Sequence, residues 1–196
     1  MMKTPRLIIV AGANGSGKSS LSQRWSKRLG RRLGLLLDPD AIAKEINSQN
    51  PKSVAIQAAR RTLNELENAL QTGQNVLIET TMSDKQRQIQ LIQNAKSRGY
   101  RVWLWYVGVH TTSINSLRVA QRVSKGGHDV PLEDILRRRE RSLHNLERIL
   151  PMVDKAWIFD NSGRSIRTVA RVQNRIVQVQ RGLGWWSERL KGLPDA

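Results

Sequence analysis

Residues 6–20 read RLIIVAGANGSGKSS, and they decide the fold. Arg6–Ala11 is a short, nearly continuous apolar run with a β-branched centre, the pattern of a strand buried on both faces. Gly12, Ala13, Asn14, Gly15, Ser16, Gly17, Lys18 and Ser19 fit G-x-x-x-x-G-K-[ST] without error, and a helix is predicted from Lys18 to about Arg32. The glycines let backbone N–H groups turn inward towards phosphate, and the start of the helix adds positive dipole there. Lys18 is expected to reach the β- and γ-phosphates, the Ser19 hydroxyl to bind Mg²⁺, and Ser20 to complete the cradle. The pattern therefore predicts a bound nucleoside triphosphate, ATP first and GTP as the alternative.

Working outward, short apolar runs alternate with helical spacing. Leu35–Leu37 reads as a second strand, Asn75–Glu79 as a third, Arg101–Val109 as a fourth and Ala156–Asp160 as a fifth. Helices are predicted between them: one beginning at Pro39, one from Pro51 or Ser53 towards Gly73, one capped by Ser83 and stopped at Gly99, one capped by Thr111 or Thr112, and one from Pro131 to about Ile149. After Asn161-Ser162-Gly163, two alternating runs around Gln173-Asn174 predict a β-hairpin, and WWSERLK a short terminal helix. This order implies an α/β domain of three layers around a central, mostly parallel five-stranded sheet, with a helical lid and a C-terminal hairpin. The phosphate-loop domain is placed at residues 1–163 with its lid at about 124–142. Residues 164–196 are a basic extension packed on the same domain.

The chain of 196 residues carries 33 Lys+Arg against 16 Asp+Glu, a formal charge of +17. Arginine greatly outnumbers lysine, and its planar fork suits bidentate phosphate recognition, so a polyanionic ligand is implied. Zero cysteines exclude disulfides and thiolate chemistry and fit the cytoplasm. No apolar run approaches the roughly 20 residues that cross a bilayer, so no membrane role is expected.

In such sheets ligands sit at the carboxyl ends of the strands. Asp38 and Asp40 follow the second strand. Asp38 is assigned as the cap of the helix starting at Pro39, which leaves Asp40 as the base for an attacking hydroxyl. Glu79 ends the third strand, where it positions a substrate hydroxyl or orients Mg²⁺ waters, with Thr80 and Thr81 as helpers. Gly126-Gly127 supplies hinge freedom before a helix bearing Arg137, Arg138, Arg139 and Arg141. With Arg118 or Arg122 from the preceding helix, these arginines could clamp the triphosphate under a lid that excludes water. His128 is either a hinge-locking hydrogen-bonder or a substrate contact.

With GANGSGKSS, DPDAIAKEI, VLIETTMS, AKSRGYRVWLWYVGV, RVSKGGHDVP with RRRERSL, and IFDNSG in that order, the chain resembles the zeta toxin family of P-loop kinases from about Leu7 to Gly163. The resemblance implies a small-molecule kinase fold, ATP and Mg²⁺, and UDP-N-acetylglucosamine as the first candidate for the acceptor. It also implies a small antitoxin protein as partner. Carried across, Lys18 and Ser19 match the phosphate and metal residues, Asp40 the base, Glu79 the acidic substrate contact, and Arg122, Arg138 and Arg141 the lid clamp. The alternative, from charge alone, is a nucleic-acid-associated P-loop protein such as a polynucleotide kinase. Trp103 and Trp105, two apart on one strand, are expected in the core rather than on a stacking platform.

Overall fold

The computed structural model describes residues 4–30, 33–124, 126–127, 129–173, 176–179 and 184–190. Strands β1 (Arg6–Ala11), β2 (Leu35–Leu37), β3 (Val76–Thr80), β4 (Arg101–Gly108) and β5 (Lys155–Asp160) pair in parallel. Strands β6 (Arg167–Gln173) and β7 (Ile176–Val179) continue the same sheet antiparallel, giving the order β2-β3-β1-β4-β5-β6-β7. The predicted hairpin thus extends the sheet edge, because β6 finds the free ladder of β5. Residues 174–175, at its turn, lie outside the described residues.

β1 lies inside the sheet between β3 and β4 and is buried along Leu7–Ala11, as its apolar run predicted, so the loop that leaves it starts from fully buried residues. Among the described residues, seven α-helices flank the sheet: α1 (Lys18–Leu29), α2 (Pro39–Ile46), α3 (Ala55–Gln71), α4 (Lys85–Ser97), α5 (Thr112–Val123), α6 (Leu132–Ile149) and α7 (Trp186–Leu190). On one face α3, α4, α6 and α7 bury the larger core, with Leu66, Leu70, Ile92, Leu146, Ile149 and Trp186 at its heart. On the other, Leu21 of α1 closes a smaller core over Ile8, Val10, Leu77 and Trp105. Trp186 is fully buried and meets Tyr106 edge-on at 5.9 Å, which fixes a five-residue helix too short to stand alone.

Three local readings differ from the sequence-based ones. The cap of α4 is Asp84, whose side chain accepts from the Arg87 N–H, whereas Ser83 is hydrogen-bonded to Thr81. Residues Pro51–Val54 form a 3-10 turn before α3. Trp105 is core, but Trp103 is half-buried, with the Arg6 guanidinium 5.0 Å from its ring centroid. One helix cannot cover that whole sheet face, so cations cover the ring instead.

Candidate active site

The loop from Gly12 to Gly17 wraps the amino end of α1, and Gly12, Gly15 and Gly17 all take positive φ. At Gly15 and Gly17 the need for glycine is also steric. A Cβ on Gly15 would meet the Asn115 carbonyl, and one on Gly17 the Asn161 amide. Two asparagines hold the loop from outside: Asn115 Nδ2 donates to the Asn14 carbonyl at 2.6 Å and Asn161 Nδ2 to the Ser16 carbonyl at 2.8 Å. Two loop carbonyls are thereby fixed, and the Ser16 N–H closes the turn on the Ala13 carbonyl at 3.1 Å. Lys18 Nζ donates to the Ala13 carbonyl at 3.0 Å, and burial lowers its pKa against the pull of Glu79, Asp40 and Asp38.

Glu79, 6% exposed at the end of β3, is the hub of the carboxylates. One oxygen accepts from Ser19 Oγ at 2.7 Å and the other from Ser22 Oγ. The acid predicted as a substrate contact is therefore tied to the proposed metal residue. That bond sets Glu79 beside the Ser19 hydroxyl expected to bind Mg²⁺. A hydroxyl and a carboxylate at one point are the hard oxygen donors that Mg²⁺ takes alongside substrate phosphates, so the residues fit that ion. Asp38 caps α2 by accepting from the Asp40 N–H at 3.0 Å, as expected. Its own carboxyl is pushed up to about 6, first by burial and then by the negative charges of Glu79 and Asp40. Asp40 lies in the first turn of α2, exposed, with Arg122 Nη1 3.5 Å from its carboxylate.

The arginines separate by contact. Arg138 lines the groove and donates to the Asn14 side chain at 3.4 Å, while Arg118 and Arg122 line it from α5. Arg137 is paired with Asp134 at 2.5 Å. Arg139 donates to the Val109 and His110 carbonyls and stacks over Trp185. Arg141 is exposed and outside the groove lining, so the geometry does not bring it to the site. His128 lies outside the described residues. Ser20 and Thr80 line the groove.

The groove itself has a volume of about 1190 Å³ and runs from the phosphate loop past Asp38 and Asp40 into a slot between α3 and α4. Met82 turns the chain between β3 and α4 at φ 55°, a strained value for a non-glycine residue, and its carbonyl is held by Asn145 Nδ2 at 2.9 Å. Asn115, Asn145 and Asn161 escaped the sequence reading because their partners are 63 to 145 residues away. The quoted IFDNSG contains Asn161, so its place just after a strand end was the available signal.

Fold and site together define a nucleotide-binding protein of the P-loop kinase type. The chain belongs to the zeta toxin family, whose model matches residues 1–181. A Haemophilus influenzae protein of uncharacterised function is 34% identical over 134 residues, 68% of this chain and 91% of that protein. Among solved structures, the AvrRxo1-ORF1:-ORF2 complex superposes with TM-score 0.68 at 16% identity, covering 91% of this chain and 62% of that one. This chain therefore spans about three fifths of that protein's length. The PezAT chromosomal toxin-antitoxin structure of Streptococcus pneumoniae matches with TM-score 0.65 at 17% identity, over 87% of this chain and 73% of that chain. A putative kinase from Chloroflexus aurantiacus matches with TM-score 0.57 at 23% identity, over 71% and 80%. No helix among the described residues is long and apolar enough to cross a membrane.

Proposed function

We propose that the protein transfers the γ-phosphoryl group of ATP to a hydroxyl of a small molecule, with a UDP-sugar such as UDP-N-acetylglucosamine as the acceptor. The observation that carries this reading is the groove of about 1190 Å³ that joins Lys18, Asp40, Glu79 and Arg138 to the slot between α3 and α4. A bare triphosphate holder needs no such slot.

In this reading the loop N–H groups and Lys18 bind the β- and γ-phosphates, and Ser19 with Glu79 would hold Mg²⁺. When bound, that ion supplies charge neutralisation on the phosphates. Asp40 takes the proton of the acceptor hydroxyl as its oxygen forms a bond to the γ-phosphorus, and the bond from that phosphorus to the β,γ-bridging oxygen breaks to release ADP. Arg122 lies on Asp40 and shares its groove wall with Arg138. Its transfer to the γ-phosphate would free the base at the moment the nucleotide arrives. Membership of the zeta toxin family supports a toxin controlled by a small antitoxin protein, and the PezAT neighbour is itself a toxin-antitoxin system. Incubation with ATP, Mg²⁺ and UDP-N-acetylglucosamine, followed by mass spectrometry, tests the assignment. A phosphorylated sugar nucleotide that depends on Lys18 is expected, and unchanged acceptor with intact ATP binding would remove this acceptor.

A further inference from the structure

The slot between α3 and α4 contains a polar atom that the fold itself does not use. Gln88 on α4 is 5% exposed and lines the groove. Its Nε2 donates to Thr80 Oγ1 at 3.2 Å, and that hydroxyl also accepts from the Met82 N–H at 3.0 Å. Gln88 Oε1, buried with it, has no hydrogen-bond partner in the protein. A buried carbonyl left unpaired costs free energy, and native structures tolerate few of them without a reason. Here the surroundings supply one. The amide is held on Thr80 next to the strained Met82 turn, at the carboxyl end of β3, the sheet edge where ligands of such folds sit.

The rest of the slot says what kind of group enters. Leu66, Leu70, Ile78 and Leu91 give it apolar walls. Glu67 at its far side is already engaged by Arg98 at 2.6 Å and by Gln71. Lys18, Lys44, Arg118, Arg122 and Arg138 lie at the phosphate half of the groove, and among the described lining residues of the slot the cation is Arg87, on the exposed first turn of α4. Anionic parts of a substrate are thus drawn to one half. The other suits an uncharged, partly apolar group.

We propose that Gln88 Oε1 is the acceptor-reading contact of this slot, taking a hydrogen bond from an N–H or hydroxyl of an uncharged moiety seated against the leucines. This rests on the kinase reading for its substrate but not for its test. A site built to hydrogen-bond a substrate group discriminates strongly against analogues lacking it, because its own buried atom is then left unpaired. Gln88→Leu is predicted to remove recognition, while relief of the unpaired Oε1 offsets the lost Nε2–Thr80 hydrogen bond in stability.

The test uses the full chain loaded with AMP-PNP and Mg²⁺. The side-chain amide signals of Gln88 are followed by NMR while uridine, N-acetylglucosamine, glucose and UDP-N-acetylglucosamine are added separately. These probes distinguish a ring N–H, an acetamide N–H and hydroxyls as the source of the donor. The expected result is that at least one probe shifts the Gln88 amide, that Gln88→Leu weakens its binding at least about tenfold, and that AMP-PNP affinity and melting temperature do not fall. No shift with any probe, or equal probe binding by Gln88→Leu, overturns the proposal. The two readings separate cleanly: a Gln88 shift without phosphorylated UDP-N-acetylglucosamine removes that acceptor and keeps the subsite, whereas a product without a Gln88 shift keeps the kinase and removes the subsite.

Discussion

Ser19 and Glu79, 60 residues apart in the chain, are joined by a 2.7 Å hydrogen bond at the point where two neighbouring parallel strands deliver their loops. The pairing register, Val10 opposite Glu79 and Ala11 opposite Thr80, sets that distance, because it ends both strands at one level. The proposed metal site is therefore a property of the sheet and not of the phosphate loop alone.

Glu79→Gln keeps the shape and one acceptor oxygen but removes the charge. The apparent Mg²⁺ affinity in an ATP turnover assay should fall by roughly 10–100-fold, as for a partner behind a metal ligand, and turnover should recover partly at high Mg²⁺. Loss of turnover that no Mg²⁺ concentration restores would place Glu79 on the acceptor instead.

Asn161→Ala and Asn115→Ala each release one carbonyl of the phosphate loop. Each should weaken ATP binding about fivefold, the worth of one net hydrogen bond of roughly 1 kcal/mol. Titration calorimetry with AMP-PNP measures this. Gly17→Ala should be more severe, since its methyl would drive Asn161 away.

Arg138→Ala should lower kcat at least about 100-fold, as expected for a donor aimed at developing charge. Arg141→Ala should leave kcat unchanged, since Arg141 lies outside the groove. Steady-state kinetics on the two variants compare them directly. Equal losses in both would mean that α6 rotates on nucleotide binding.

Asp38 carries a pH signature. Its carboxyl titrates near 6 in the folded protein against an ordinary 3.8, so the native state holds this proton more tightly than the unfolded chain. Stability from this group is complete below about pH 4 and falls as pH rises to about 6, by roughly 3 kcal/mol in all. Asp38→Asn, which can still cap α2, should raise the melting temperature at neutral pH and flatten that window. Thermal melts from pH 4 to pH 8 would show it, and an unchanged profile would contradict the burial assigned to Asp38.

The fold was legible because its signals are local. The apolar run of Arg6–Ala11, the glycines after it and the Asp38-Pro39 cap each depend on residues a few positions apart. The placement of Lys18, Ser19 and the strand-end acids along one groove was legible for the same reason. What was not legible depends on register and distant pairing. The dual attachment of Glu79 to Ser19 and Ser22, the asparagine braces on the loop, and the separation of Arg138 from Arg139 and Arg141 are set by how helices seat on the sheet. Helical spacing placed the arginines on faces, but only the packing of α6 against α5 decides which face looks into the groove.

The most direct test of the account is phosphoryl transfer by Asp40→Asn under saturating ATP and Mg²⁺, with a host metabolite extract and radiolabelled ATP to supply and reveal the acceptor. The account predicts a labelled product with the native protein, its loss by at least about 100-fold in the variant, and AMP-PNP affinity that does not fall. Product formed at the native rate by Asp40→Asn would contradict it, because the exposed carboxylate beside Arg122 would then have no part in the chemistry.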